Sequence, residues 1–173
     1  MAPMTDSPET TTERISDREL VVTRRLKGAA RHVFAAWTRP ELMQRWWVPP
    51  SFGMTFVSCE MDVRTGGTYR FTFAHPSFDE PMAFFGRYTE VVPDARIVWT
   101  NEEEGHGEQI STLTLKEEGG ETLLTLHELY PSKEALDAAL ASGSTGAYPE
   151  QFVALDALLA EGAADPSRHS RPK

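Results

Sequence analysis

The side chains of this 173-residue chain that could move a proton or hold a metal are five histidines, one cysteine and a set of carboxylates in strand-like segments. His75 ends an alternating run and His127 lies in another; His32 and His106 read as solvent-facing, and His169 falls in the terminal segment. No two histidines stand at a helical i,i+4 or other local ligand spacing, and Cys59 has no partner, so a metal site is not expected. No Ser/His/Asp or Cys/His set has a recognisable spacing, which leaves nucleophilic catalysis without support. His127 then reads either as a hydrogen-bonded residue of the core or its rim, or as a polar anchor lining a pocket. The carboxylates Glu60, Asp62, Glu90 and Glu128 sit in alternating segments where some can face inward. An inward acid in apolar surroundings has its pKa raised by desolvation and could transfer protons. Paired with Arg70 or Arg87 it is a structural ion pair, the reading favoured here. Gly66-Gly67 lacks the strand-to-helix context of a phosphate loop and serves as a turn.

The elements that must position these groups follow from periodicity. Glu19 to Lys27 is β-prone, Ala29 to Trp37 a short helix, and Thr38-Arg39-Pro40-Glu41 has the form of a capping box opening a second helix. That helix carries Leu42/Trp46 and Met43/Trp47 as i,i+4 pairs and stops at Pro49-Pro50. Strands are expected over Met54–Val63, Thr68–His75, Met82–Val92, Ile97–Trp99, Gln109–Lys116 and Thr122–Leu129, joined by short turns as an antiparallel meander. In Thr68–His75, the residues Tyr69, Phe71, Phe73 and His75 share one face. Asn101–Gly107 reads as an acidic loop. Ser132 is a good N-cap for a third helix. The last helix, starting between Thr145 and Tyr148 and running to Leu159, carries a broad apolar stripe of Tyr148, Phe152, Leu155 and Leu159, with Val153 and Leu158 beside it. The expected fold class is α+β: about seven antiparallel strands curving around a C-terminal helix, with two short helices between strands 1 and 2. A cavity between such a sheet and its helix is a default ligand site.

Composition sets the outer limits. The net charge of -9 disfavours nucleic acid and anionic membrane surfaces as partners. Residues 1–16 and 162–173 are polar and read as disordered tails around a single domain at 17–161. The N-terminal segment lacks the apolar core of a signal peptide, no stretch suits a membrane span, and one unpaired cysteine fits a reducing cytoplasm.

Five stretches together resemble a known family. Trp37–Trp47 (W-T-R-P-E-L-M-Q-R-W-W), Asp62–Phe71 (D-V-R-T-G-G-T-Y-R-F), Gly86 before Tyr88 and Glu90, Ile97-Val98-Trp99, and Leu124–Glu128 follow one another as in the bacterial branch related to the activator of the heat-shock-protein-90 ATPase. That branch lies within the START-like, or SRPBCC, helix-grip superfamily. The resemblance spans about Glu19 to Ala160. It implies the helix-grip fold and an internal cavity, and it does not imply one activity, since relatives include apolar-ligand carriers, cyclases and co-chaperone domains. Where the family usually has Gly-Trp at the start of the last helix, this chain has Gly146, Ala147 and Tyr148, which brings a phenol to that position.

Three readings follow. The first is binding of a small, largely hydrophobic ligand, with the pocket lined by Trp47, Phe56, Tyr69, Arg70, Phe71, Phe73, Phe84, Trp99, His127, Tyr148 and Phe152, and with His127, Tyr148 and Arg70 as polar anchors. The mouth is placed at Trp46–Pro50. No cofactor is expected. The second is a co-chaperone-like module that stimulates a heat-shock ATPase, implied by the resemblance. The third is a cyclase, dehydratase or hydrolase using His127 or an inward carboxylate, which requires an ionisable side chain facing the cavity without an ion-pair partner. Exposed edge strands and the Trp47 region could support a homodimer.

Overall fold

The fold is built by strands that alternate cleanly between an apolar and a polar face. A computed structural model describes residues 10–48, 53–77, 79–102, 108–142 and 148–161. Eight strands, β1 Thr11–Arg14, β2 Glu19–Leu26, β3 Thr55–Met61, β4 Thr68–Ala74, β5 Met82–Val92, β6 Arg96–Glu102, β7 Glu108–Glu118 and β8 Glu121–Leu129, form one antiparallel sheet in the order β1-β2-β8-β7-β6-β5-β4-β3. Four helices complete it: α1 Ala30–Thr38, α2 Pro40–Trp46, α3 Lys133–Ser142 and α4 Tyr148–Ala160. The expected helix-grip class stands, a curved sheet holding a C-terminal helix.

The strand beyond the expected seven is β1, within the segment read as a tail. Its side chains are all exposed, so burial gives no sequence signal for it. Backbone pairing with β2 holds it, Thr11 opposite Thr23 and Arg14 opposite Leu20. Arg14 also reaches Asp137 of α3 at 2.8 Å. The remainder of the expected tails, 1–9 and 162–173, lies outside the described residues.

Local chemistry fixes the connections. Gly119 and Gly120 both have positive φ, at 59° and 84°, and close β7 onto β8 in a turn that most side chains resist. In β5, Gly86 lets another strand and a ring come close. A Cβ there would stand 1.9 Å from the Thr100 carbonyl oxygen and 2.9 Å from Cε1 of Tyr69. The Tyr69 hydroxyl donates to that same carbonyl at 2.7 Å.

The expected capping box at α2 does not form. The Thr38 hydroxyl donates back to the Phe34 carbonyl at 2.8 Å, inside α1, and Glu41 pairs with Arg39 at 3.2 Å. Pro40 does occupy the first turn of α2. Helix α1 has no cap from its own N-cap residue, Ala29. Instead Glu117 of β7 accepts the Ala30 N–H at 2.9 Å, which places a carboxylate at the positive end of the helix. In α3, Ser132 accepts the Ala135 N–H at 3.1 Å, as an N-cap should.

Helix α4 buries Phe152, Leu155 and Leu158 in the core, with Leu159 half-buried against Gly28. Full burial of an aliphatic or aromatic side chain is worth roughly 1.5–3 kcal/mol. Val153, expected beside the stripe, is 58% exposed, and Gln151 is buried instead. The buried face is therefore turned toward Gln151 and away from Val153. A polar latch fixes the other side of the helix: Asp156 accepts from Arg24 at 3.0 Å and from the Lys27 backbone N–H at 3.0 Å. Arg24 is itself buried on β2.

Candidate functional site

Register places the inner face of the sheet as rows of side chains running across the strands. Tyr69, Phe71 and Phe73 of β4 point into the core and are buried. Phe56 of β3 pairs with Phe73 in the register, and Phe84 of β5 pairs with Phe71. Further along, Tyr88 of β5 pairs with Trp99, Trp99 with Ser111, and Ser111 with Glu128.

Ring contacts join the aromatic candidates into one connected set. Phe56 lies 4.6 Å from Phe73 and 5.7 Å from Phe71; Phe84 lies 5.5 Å from Phe73; Tyr69 lies 5.1 Å from Phe71. Trp47 bridges Phe71 at 5.9 Å and Trp37 at 5.7 Å, and Trp37 reaches Trp99 at 5.6 Å. Through Trp46 and Phe152 the set continues to Tyr148, stacked 6.1 Å from Phe152. Trp46 is buried, whereas Trp47, Phe56, Phe84, Trp99 and Tyr148 are half-buried. They form the rim where this apolar interior meets solvent. Pro49 and Pro50, expected at the mouth, lie outside the described residues.

Two expected anchors do not face this interior. Arg70 alternates with Tyr69 and Phe71 and so projects from the opposite side, exposed, with its guanidinium 5.6 Å from the Phe85 ring. His127 alternates with the buried Leu126 and Glu128. It stands on the outer side, 32% exposed, and pairs with Glu19 of β2 at 3.0 Å. The contact to His127, followed by one from Ser16, holds the Glu19 carboxyl below its ordinary value. The hydrogen-bonded rim reading of His127 is the one that fits.

The inward polar group is its neighbour, Glu128, only 4% exposed. One carboxyl oxygen accepts from the Gln109 amide at 2.9 Å and from the Ser111 hydroxyl; the other accepts from the Tyr148 phenol at 3.0 Å. Among the described residues no cation pairs with it. Desolvation pushes its pKa up, and the bonds from Ser111, Gln109 and Tyr148 oppose that rise without cancelling it. Burial, with Glu128 and Tyr130 close by, pushes the Tyr148 phenol well above its usual range. Gln151, one turn along α4, donates to the Trp47 carbonyl and ties the phenol-bearing turn to the end of α2.

Two buried polar atoms near this cradle lack any partner among the described residues: the indole N–H of Trp37 and the side-chain oxygen of Asn101. Asn101 follows Trp99 on the same face of β6 and pairs in register with Gln109. Gln109, Ser111, Asn101 and Trp37 were not among the expected site residues. For Gln109 and Ser111 the available signal is the parity of β7, which groups them with Leu113, and of β8, which groups Glu128 with Leu126; Asn101, read as the start of an acidic loop, instead continues β6. No group of three or more metal-ligating side chains occurs among the described residues, and no described helix is long and apolar enough to cross a membrane.

Comparison with known proteins places this geometry. The model of the family described as "Activator of Hsp90 ATPase homolog 1-like protein" matches residues 27–160. A crystal structure of a protein from Rhodobacter sphaeroides superposes with a TM-score of 0.81 at 26% identity, covering 88% of this chain and 99% of that one. Protein Ms6760 from Mycobacterium smegmatis gives a TM-score of 0.74 at 23% identity, over 89% and 99% of the two chains. An AHSA1-like protein from Aeromonas hydrophila gives 0.63 at 17% identity, over 79% and 92%. No curated protein matches the chain.

Proposed function

Since the chain belongs to the family of activator of Hsp90 ATPase homolog 1-like proteins, whose fold supports ligand-binding or co-chaperone-like roles, we propose that it binds a small, largely apolar ligand between the sheet and α4. The ligand lies against the half-buried rim of Trp47, Phe56, Phe84 and Trp99, and its polar end meets Tyr148 beside Glu128. The observation that carries this reading is the Glu128 cradle. A buried carboxyl group held by neutral donors, with no paired cation among the described residues, contributes little to stability in an apolar core. Its place under the first turn of α4, next to a solvent-reaching aromatic rim, gives it a use in recognition.

Glu128 meets the condition of an inward acid without an ion-pair partner among the described residues, but binding is favoured over catalysis because three donors occupy both its oxygens and His127 faces away. Cys59 is no alternative nucleophile: half-buried, its thiol is pushed up to about 11 by desolvation. A lone thiol of this kind suits a reducing cytoplasm. Native mass spectrometry of protein purified without denaturation tests the reading. A retained small molecule, lost on unfolding, supports it; a bare polypeptide mass in every preparation, together with no thermal shift from apolar probes, ends it.

The family description carries a second reading, a module that acts on a heat-shock ATPase, with the edges of the sheet as surfaces for that partner or for a second copy. Measuring ATP turnover of the cognate Hsp90 with and without the protein separates it from the first.

A further inference from the structure

Resting on the ligand-binding reading, we infer that the ligand's polar end is an uncharged donor-and-acceptor group, a hydroxyl, phenol or carboxamide, rather than a carboxylate or an ammonium.

Several hydrogen-bonding positions on the inner side are unfilled among the described residues. The Tyr148 phenol spends its hydrogen on Glu128, so its oxygen is left as an acceptor. Asn101 offers a second acceptor and the Trp37 indole a donor, both buried and unpartnered among the described residues. Trp99 links them. Its ring lies 5.6 Å from that of Trp37, its strand neighbour is Ser111, and Asn101 follows two residues later on the same face. Buried polar groups are normally satisfied, so a donor left open on α1 and acceptors left open on β6 and α4 ask for a group that can both give and take a hydrogen bond.

The surroundings exclude charge. A carboxylate head would sit beside Glu128, which no cation pairs with among the described residues; Tyr148, Tyr130 and Tyr69 are the other titratable groups near that carboxyl on the inner side, and His127 acts on it from the outer side. The burial that pushes the Glu128 pKa up disfavours a negative charge on a neighbouring ligand group in the same way. An ammonium would need an open carboxylate to receive it. Of the roughly four acceptor positions of a carboxylate, three are already filled by Gln109, Ser111 and Tyr148. The fourth does not repay stripping the water from a cation.

Isothermal titration of the full chain at neutral pH with 2-naphthol, 2-naphthoate and 2-naphthylmethylammonium tests this, since the three share one apolar body. The expected result is 2-naphthol bound about tenfold or more tightly than either ion, the size of effect that a buried unmatched group produces. Tyr148→Phe, which keeps the ring against Phe152, should weaken 2-naphthol by about fivefold to tenfold, the loss of one hydrogen bond, and leave 2-naphthoate unchanged. Equal affinities within about twofold, or tightest binding by either ion, would overturn the inference while leaving apolar binding intact. Saturable binding by none of the three would overturn both.

Discussion

Glu128 and His127 are neighbours with opposite fates, set by one step of strand parity. His127 finds Glu19 on the outer side of the sheet. Glu128 enters the core among leucines and takes its hydrogen bonds from Ser111, Gln109 and Tyr148. Its folded pKa stands above the ordinary 4.5, so the stabilisation associated with its proton is complete below that value and is lost as pH rises toward the folded pKa. Replacing it by the neutral isostere Gln removes the penalty. Glu128→Gln should therefore melt at a higher temperature than the parent near pH 8, with the gap closing toward about pH 5. A gap independent of pH, or one favouring the parent at pH 8, would show that the carboxyl is not buried as described.

At the scale of elements, tertiary contacts take over work that local sequence signals assign elsewhere. The Thr38–Glu41 sequence advertises a capping box, yet Thr38 turns back into α1 and the carboxylate that serves a helix start is the distant Glu117. Glu117→Ala should cost about 1 kcal/mol in a urea melt, the usual worth of a lost cap; no loss would mean that water replaces it freely. Helix α4 is held by its apolar face and by the Asp156 latch to β2. Asp156→Ala leaves the buried Arg24 without its carboxylate and should cost about 3–5 kcal/mol, the penalty of an uncompensated buried charge. A loss comparable to that of an exposed pair, about 0–1 kcal/mol, would contradict the latch. Strong alternation, paired glycines and helix periodicity made β4, β5, the β7–β8 turn and α4 legible before the structure. Strand β1 was not legible, because an edge strand made of exposed Thr, Glu and Arg buries nothing that a pattern could register.

For the whole molecule, the order of strands and helices and the five motifs sufficed to anticipate the helix-grip architecture. The connected aromatic set from Phe84 to Tyr148 was readable for the same reason, since each member occupies the apolar parity of its strand or helix. The polar part of the site was harder. Arg70 and His127 look more reactive than Gln109, Ser111 or Asn101, and residue type outweighed parity in choosing them. The cradle also depends on three elements distant in sequence, β7, β8 and α4, whose meeting point only the assembled register reveals.

Ligand binding of the proposed kind requires that a small apolar molecule enter beside Trp99. The four tryptophans allow a direct reading through their indole N–H resonances in a nitrogen-15 correlation spectrum during titration with 2-naphthol. The Trp46 indole already donates to the Ala36 carbonyl at 3.0 Å, while that of Trp37 has no partner among the described residues. Saturable shifts of the Trp37 and Trp99 resonances, with Trp46 nearly still, are the predicted result. Shifts scattered over surface amides with Trp37 and Trp99 unmoved would contradict it.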